Sequence, residues 1–220
     1  MEQRRRDGHQ DQGKYQGLVG ARFGSEGDMT TSKTDLDIEA AETAAARTVP
    51  PLVLVVMGVS GSGKSTIALE LHRVLGWPFQ EGDDLHPPAN VEKMRSGRPL
   101  DDADRLPWLQ AVARWIDDRL AASEPGIITC SNLKRAYRRI TIGKRKGVRL
   151  VYLKGDEQMI HHRIVQRHHR YMPPTLLRSQ FETLEEPGED EHPVTVAVHG
   201  GVAQTVLELL RQLADLKAQR

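Results

Sequence analysis

The chain of 220 residues has one cysteine, Cys130, few aromatic residues and no long apolar run. A single cysteine excludes an internal disulfide framework and fits a reducing compartment. The longest apolar run, Leu52 to Gly58, is far shorter than the ~20 residues that a membrane-spanning helix needs. Three arginines near the start are not followed by an apolar stretch, which argues against a secretory signal. These absences predict a soluble, cytoplasmic protein without a membrane partner.

An excess of one charge is also missing, because 31 Lys and Arg residues balance 30 Asp and Glu residues. This balance gives no overall attraction to nucleic acid, although local patches remain open. Residues 134–149 contain eight basic residues and no acidic one. Tyr137 is the only aromatic residue in that run, so we expect a solvated helix face rather than a nucleic-acid partner.

Apolar residues are scarce at the start of the chain, where residues 1–50 contain only six Leu, Ile, Val or Phe. We therefore predict a disordered tail over residues 1–48 and one folded domain over residues 49–220. In the folded part, strands are predicted at Leu52–Met57, Phe79–Glu81, Ile127–Cys130, Val148–Leu153 and Val194–Val198, with a long helix after Asp104 and another near Asp156. Strands that alternate with helices predict an α/β fold with a parallel sheet covered on both faces.

Residues 58–65, GVSGSGKS, fit the phosphate-loop pattern G-x-x-x-x-G-K-[ST] at every fixed position. The loop lies between a predicted strand and a predicted helix, so backbone N–H groups and the positive helix end would face the phosphates. Lys64 is predicted to reach the β- and γ-phosphates, and the Ser65 hydroxyl to ligate Mg²⁺. The candidate nucleotide-binding residues are Gly58, Val59, Ser60, Gly61, Ser62, Gly63, Lys64, Ser65 and Thr66.

An acidic stretch follows the second predicted strand, at the carboxyl edge of the sheet near the phosphate loop. Glu81 and Asp83 are expected to point the same way from an extended segment. Carboxylates in this place hold Mg²⁺ through water or accept a proton from an attacking hydroxyl. We assign the first role to Glu81 and the second to Asp83, with a solvated acidic loop as the alternative.

Two basic groups are candidates for binding anions. Lys134 and Arg138 are i, i+4 neighbours after the third strand, a spacing suited to gripping one small anion. Arg163 and Arg167 lie on one face of a predicted helix, from which arginines neutralise charge as a γ-phosphoryl group transfers. Four nearby histidines lack cysteine or acidic partners at ligand spacing, which favours a mobile lid segment over a zinc site.

Together these stretches resemble the thermoresistant type of gluconokinase, a P-loop metabolite kinase family related to shikimate and adenylate kinases. The resemblance covers about residues 52–217 and leaves the tail outside. It rests on MGVSGSGKST (57–66), EGDDLHPPANVEKMRSGRPLDDADRLPWL (81–109), CSNLKRAYR (130–138), YLKGD (152–156) and SQFETLEEP (179–187). The second and the last of these are much more specific than the phosphate loop.

The resemblance implies a five-stranded parallel sheet with a small helical lid. It also implies ATP with Mg²⁺, phosphorylation of D-gluconate at its terminal hydroxyl to 6-phospho-D-gluconate, and a homodimer. Asp83 and His86 match positions near the sugar acid and the catalytic centre, and Lys134 and Arg138 match the motif on the substrate side. Lys64, Asp83 and Arg163 are thus the expected catalytic residues.

Other residues are left without a role or depart from the family pattern. Arg167 falls at the start of the implied lid, and Gln180 matches a family position to which no role is assigned. Asn132 stands where alanine is usual, Arg139 where aspartate is usual, and residues 170–172 differ from the usual lid sequence. The departures keep open a weakened nucleotide-binding homologue.

Three alternatives to this function differ in the residues that they require. A P-loop kinase for another small polyol or sugar acid, such as shikimate, is the main alternative. A guanine-nucleotide switch would be expected to carry an Asn-Lys-x-Asp segment, which the chain lacks. A catalytically dead kinase would be expected to have lost Lys64 or Asp83, and the chain has both.

The predicted tail provides a test of the domain boundary. Deleting residues 1–48 is expected to leave the melting temperature and the kinase activity nearly unchanged, because few apolar side chains are removed. Thermal unfolding and ATP turnover of the shortened and the full chain measure this. A large fall in the melting temperature would show that the tail docks on the domain.

Overall fold

The computed structural model describes residues 52–166 and 174–218, and its centre is a parallel five-stranded sheet. The strands are β1 (Val53–Met57), β2 (Phe79–Gln80), β3 (Gly126–Thr129), β4 (Val148–Lys154) and β5 (Val194–Ala197). Their order across the sheet is β2-β3-β1-β4-β5, and each neighbouring pair is parallel. The predicted sheet is confirmed, and each strand lies within one residue of its predicted bounds.

Helices lie between the strands and follow the last one. They are α1 (Lys64–Leu75), α2 (Pro88–Arg95), α3 (Asp102–Ala121), α4 (Arg135–Thr141), α5 (Glu157–Gln166), α6 (Pro174–Thr183) and α7 (Val202–Ala218), with 3₁₀ turns at Gly82–Leu85 and Glu189–Glu191. Within the described residues, no helix combines the length and apolar character that crossing a membrane takes. The predicted tail, Arg167 and the lid residues 168–172 lie outside the described ranges.

Helix α3 begins before the residue that apolar periodicity predicts, because Asp101 caps it. The Asp101 carboxylate accepts a hydrogen bond from the Asp104 N–H at 2.8 Å, and the Asp104 carboxylate accepts one from the Asp101 N–H at 2.9 Å. This reciprocal capping satisfies N–H groups that the first helical turn leaves without partners. Helix α2, in a stretch too polar to show an apolar face, is not predicted from the sequence.

Strand β1 supplies both faces of the core. Its five side chains are fully buried. Leu54 and Val56 pack with residues of α1 and α7, whereas Val53, Val55 and Met57 pack with residues of α3 and α4 on the other face. This burial on both faces explains why β1 is a continuous apolar run rather than an alternating one.

The single cysteine belongs to the second of these clusters. Cys130 directly follows β3 and is 1 % exposed. Burial raises the pKa of its thiol well above the ordinary range, because the thiolate would lose its hydration. Cys130 therefore behaves as a small apolar core residue.

Candidate active site

Three chain segments meet at the carboxyl edge of the sheet. The phosphate loop follows β1, residues 81–86 follow β2, and residues 130–134 follow β3. Because β3 lies between β2 and β1, the ends of these three strands are neighbours. The topology thus brings the predicted donor and acceptor residues to one place.

Lys64 joins the phosphate loop to the acidic segment. It is the first residue of α1, and its Nζ donates to the Val59 carbonyl oxygen at 3.1 Å. Burial lowers the pKa of Lys64, and the neighbouring carboxylates of Asp83 and then Glu81 partly offset that effect. Lys64, Asp83 and Glu81 therefore lie close enough for their charges to interact, at the sheet edge where the strand order places them.

The loop has the groups that a phosphate and its metal ion need. The Ser62 hydroxyl is buried and has no hydrogen-bond partner within the described residues, which fits a group that binds a phosphate oxygen. The Ser65 hydroxyl is exposed at the start of α1. Ser65, Glu81 and Asp83 offer the hard oxygen atoms that Mg²⁺ prefers, and Mg²⁺ completes its shell with phosphates and water.

The acidic segment is held by main-chain contacts at Gly82. The Gly82 N–H donates to Thr129 Oγ1 at 2.9 Å, and Trp108 Nε1 donates to the Gly82 carbonyl oxygen at 2.7 Å. A Cβ atom at position 82 would lie 1.9 Å from the Thr129 carbonyl oxygen, so only glycine fits. The Thr129 hydroxyl donates in turn to the Glu81 carboxylate.

The backbone that follows Glu81 differs from the prediction. Residues 82–85 form a 3₁₀ turn, so the expectation of an extended segment through Asp83 is wrong. The tight turn forms because Gly82 is pinned between β3 and α3. Asp83 lies exposed near the start of the turn, beside Lys64.

His86 is fixed in a neutral form beside this turn. Its ring stacks on Trp108 with centroids 4.3 Å apart and planes 13° from parallel. Burial, and secondarily Arg105, lower the pKa of His86 to about 4. The Asn90 amide nitrogen donates to the Asp104 carbonyl oxygen at 2.7 Å and lies 3.4 Å from His86 Nδ1. An amide nitrogen is a donor, so Nδ1 accepts and Nε2 carries the proton.

The structure separates Lys134 from Arg138. Lys134 Nζ binds Asp102 at 2.8 Å. Arg138 is 2 % exposed, and its Nε and Nη2 bind the two carboxylate oxygens of Glu191 at 2.7 and 2.8 Å. Its Nη1 donates to the Glu185 carbonyl oxygen at 2.8 Å. This geometry does not fit the prediction that the pair grips one small anion, because the two side chains have different partners and the guanidinium is already engaged.

Arg105 is a cation near the acceptor edge that the motif analysis does not single out. It is half-buried on α3, and its Cζ lies 5.9 Å from the centroid of the Tyr137 ring. Within residues 52–166 and 174–218 no carboxylate lies at ion-pair distance from it, and its charge adds to burial in lowering the pKa of His86 and to hydrogen bonds in lowering the pKa of Asp102. Arg105 lies three residues before Trp108, so helical spacing places both residues on the same side of α3. That spacing could have identified Arg105 from the sequence.

Arg163, on α5, is bound near the end of β5, the edge strand farthest from β2 and the acidic segment. Its Nη2 donates to the Val198 carbonyl oxygen at 2.6 Å, just after β5. The contact ties α5 to the last strand. Arg167, its predicted companion, lies outside the described residues.

Asn132, which departs from the family pattern, suits the backbone conformation at its position, although its buried Nδ2 has no hydrogen-bond partner within the described residues. Its φ of 47° is left-handed, a conformation that asparagine adopts more readily than alanine. Its Oδ1 accepts a hydrogen bond from the Thr141 hydroxyl at 3.2 Å. Arg139, the second departure, is exposed and disturbs none of these contacts.

The Arg138 contacts predict a structural rather than a selective effect of substitution. Arg138→Ala removes the ion-pair partner of Glu191 and leaves its carboxylate, among the described residues, only the Gly188 N–H, so we expect a loss of about 3–5 kcal/mol of stability at neutral pH. Arg138→Lys should recover little of it, since an ammonium group cannot reproduce the bidentate contact. Denaturant unfolding of both variants and the wild type measures this.

Acid pH supplies the control for that prediction. The hydrogen bond from Arg138 is the main cause that holds the pKa of Glu191 below its ordinary value. Stabilisation from a lowered carboxylate pKa is present at neutral pH and is lost as the pH falls through the folded-state pKa. The stability difference between wild type and variant should therefore shrink in acid, and a constant difference would contradict the assignment.

Comparisons with known proteins agree with this architecture. A family model described as an AAA domain matches residues 53–187. A gluconokinase of Gluconobacter oxydans (strain 621H) is 45 % identical over 73 % of this chain and 90 % of that protein. The thermoresistant gluconokinase of Escherichia coli (strain K12) is 42 % identical over 70 % of this chain and 91 % of that protein.

A solved structure extends the similarity to the fold. The crystal structure of a gluconokinase from Sinorhizobium meliloti 1021 has a TM-score of 0.67 and 42 % sequence identity. The match covers 78 % of this chain and 99 % of that one. With its phosphate loop and parallel sheet, the chain belongs to the gluconokinase family of P-loop kinases.

Proposed function

We propose that the protein transfers the γ-phosphoryl group of ATP, with Mg²⁺, to the terminal hydroxyl of D-gluconate. The observation that carries this proposal is that Lys64, from the phosphate loop, and Asp83, from the acceptor edge, lie close enough for the Asp83 carboxylate to raise the pKa of Lys64. The names of the similar proteins support gluconate as the acceptor. Homodimer formation and a cytoplasmic location remain predictions.

Lys64, Asp83 and the residues that would hold Mg²⁺ each have a task in the transfer. Lys64 places a positive charge against the β- and γ-phosphates, where negative charge shifts during the reaction. Asp83 accepts the proton of the attacking hydroxyl as the new oxygen–phosphorus bond forms and ADP leaves. Mg²⁺ would be held by Ser65 and, through water, by Glu81, and when bound it neutralises charge on the phosphates.

The acceptor side combines a hydrogen-bond donor (His86), an aromatic ring that supports it (Trp108) and a cation (Arg105). His86 is neutral at ordinary pH and makes no hydrogen bond through Nε2 within the described residues, so its Nε2–H suits a hydroxyl of a sugar acid. The stacked Trp108 holds the imidazole in place. A carboxylate that enters the pocket loses water, which is costly unless a cation replaces it. Arg105 is that cation, because Lys134 and Arg138 already bind carboxylates.

A substrate panel tests the reaction against the main alternative. ATP consumption is measured with gluconate, other sugar acids, polyols and shikimate, and gluconate is expected to have the highest kcat/KM. A faster rate with shikimate or with a neutral polyol would overturn the assignment.

Lys64→Ala should lose more than about 90 % of turnover, since a charge clamp on the phosphates lowers the barrier by more than ~1.4 kcal/mol. The melting temperature of this variant should stay near that of the wild type.

The position of the acid group is tested at Arg105. Arg105→Ala should lower kcat/KM for gluconate by about one to two orders of magnitude, the effect of losing one charge-assisted contact. The rate with glucitol, which has no carboxylate, should be low in the wild type and hardly change in the variant. Arg114→Ala, at an exposed position of the same helix, is the matched control. Equal losses for both substrates would mean that Arg105 serves the fold or the phosphates.

A further inference from the structure

Gln180, from the specific but unassigned stretch 179–187, binds the main chain of the phosphate loop. Its Oε1 accepts a hydrogen bond from the Ser60 N–H at 2.7 Å, and its Nε2 donates to Ser60 Oγ at 3.3 Å. The two residues are 120 positions apart in the chain. One side chain on α6 thus satisfies both the N–H and the hydroxyl of Ser60.

Apolar contacts hold the same part of the loop. Val59 is 2 % exposed and packs in a small cluster with Ile160 of α5 and Leu177 of α6. A Cβ atom at Gly61, where φ is 80°, would lie 2.8 Å from a side-chain carbon of Ile164. The loop backbone therefore approaches α5 closely, in a conformation that only glycine adopts without strain.

The phosphate loop is consequently supported from two sides. Its second half continues into α1. Its first half, residues 59–61, rests on α5 and α6 through Val59, Ser60 and Gly61. The peptide between Val59 and Ser60 sets the direction in which the chain enters Gly61, so a hydrogen bond to that peptide orients the residues that surround the phosphates.

We propose that Gln180 is a positioning residue for the nucleotide site, which holds the first half of the phosphate loop ready for the phosphates through the Ser60 main chain. The proposal rests on the proposed function in one respect, that a nucleoside triphosphate is the donor. A loop held in place before binding loses less conformational entropy when the ligand arrives. Removing the contact should therefore weaken nucleotide binding rather than unfold the protein.

The end of the same stretch reaches the acceptor side. The Glu185 N–H donates to the Leu133 carbonyl oxygen at 2.8 Å, and the Glu185 carboxylate accepts from the Arg135 N–H at 2.6 Å. Residues 180–185 thus contact both the phosphate loop and the N-terminus of α4. The stretch therefore links the phosphate loop to the start of α4.

The test uses Gln180→Met, which keeps the side-chain length and removes both polar groups. Titration with mant-ATP, a fluorescent analogue, should show a Kd about threefold to tenfold higher than that of the wild type, the size expected from losing the hydrogen bond that orients the Ser60 main chain. The KM for ATP should rise with it, whereas the KM for gluconate should not change. Arg178→Ala, at an exposed position of the same helix, is the matched control and should bind mant-ATP normally.

Amide hydrogen exchange separates positioning from a general loss of packing. In Gln180→Met the Ser60 amide should exchange faster, while the Val55 amide, within β1, should stay as slow as in the wild type. Gln180→Glu keeps an oxygen that accepts from Ser60, so the amide should remain protected in the nucleotide-free enzyme. Faster exchange at both positions would mean that Gln180 only stabilises the fold.

The outcomes distinguish this proposal from the proposed function, because mant-ATP binding and amide exchange need no acceptor. Unchanged or tighter mant-ATP binding by Gln180→Met, in an enzyme that phosphorylates gluconate, would overturn the role of Gln180 alone. A wild type that binds mant-ATP but leaves gluconate unphosphorylated would overturn the proposed function. Mant-ATP binding by Gln180→Met would still decide the role of Gln180.

Discussion

The complete burial of β1 is the constraint on which the rest of the molecule depends. Its side chains alternate between two apolar clusters, one with α1 and α7 and one with α3 and α4. A strand that is covered on both faces and paired along both edges has no freedom to shift. The phosphate loop leaves the end of this strand, so its starting point is fixed independently of the contacts that the loop makes. The acceptor residues are placed relative to it through β3, the neighbouring strand.

The sequence was sufficient to predict the parts of the structure that arise from local pattern. The three inner strands β3, β1 and β4 contain short apolar runs, and runs of this kind are typical of parallel strands buried on both faces. The edge strand β5 instead alternates buried and exposed residues, and β2 has only two residues. The phosphate loop has its own spacing and a strand–loop–helix context, so Lys64 could be placed with its carboxylate neighbours. Asp83 and Glu81 could be placed near Lys64 because they follow a strand whose end lies at the same edge.

Contacts between residues distant in the chain could not be predicted. The basic spacing of Lys134 and Arg138 indicates a shared face, but Glu191, which lies 53 residues after Arg138, determines where the guanidinium goes. The role of Gln180 likewise depends on Ser60, and the turn at Gly82 depends on Thr129 and Trp108. Such pairs have no periodicity to detect, and only the packed fold brings their members together.

The burial of Cys130 makes the native chain suitable for site-specific spectroscopy. It is the chain's only cysteine, and a buried thiol with a raised pKa reacts slowly with maleimides or spin-label reagents. A variant such as Arg178→Cys would therefore present one reactive position, on the exposed side of α6, without removal of any native thiol. A label there would report distance changes between α6 and a fluorescent nucleotide during turnover, against almost no background labelling of the core.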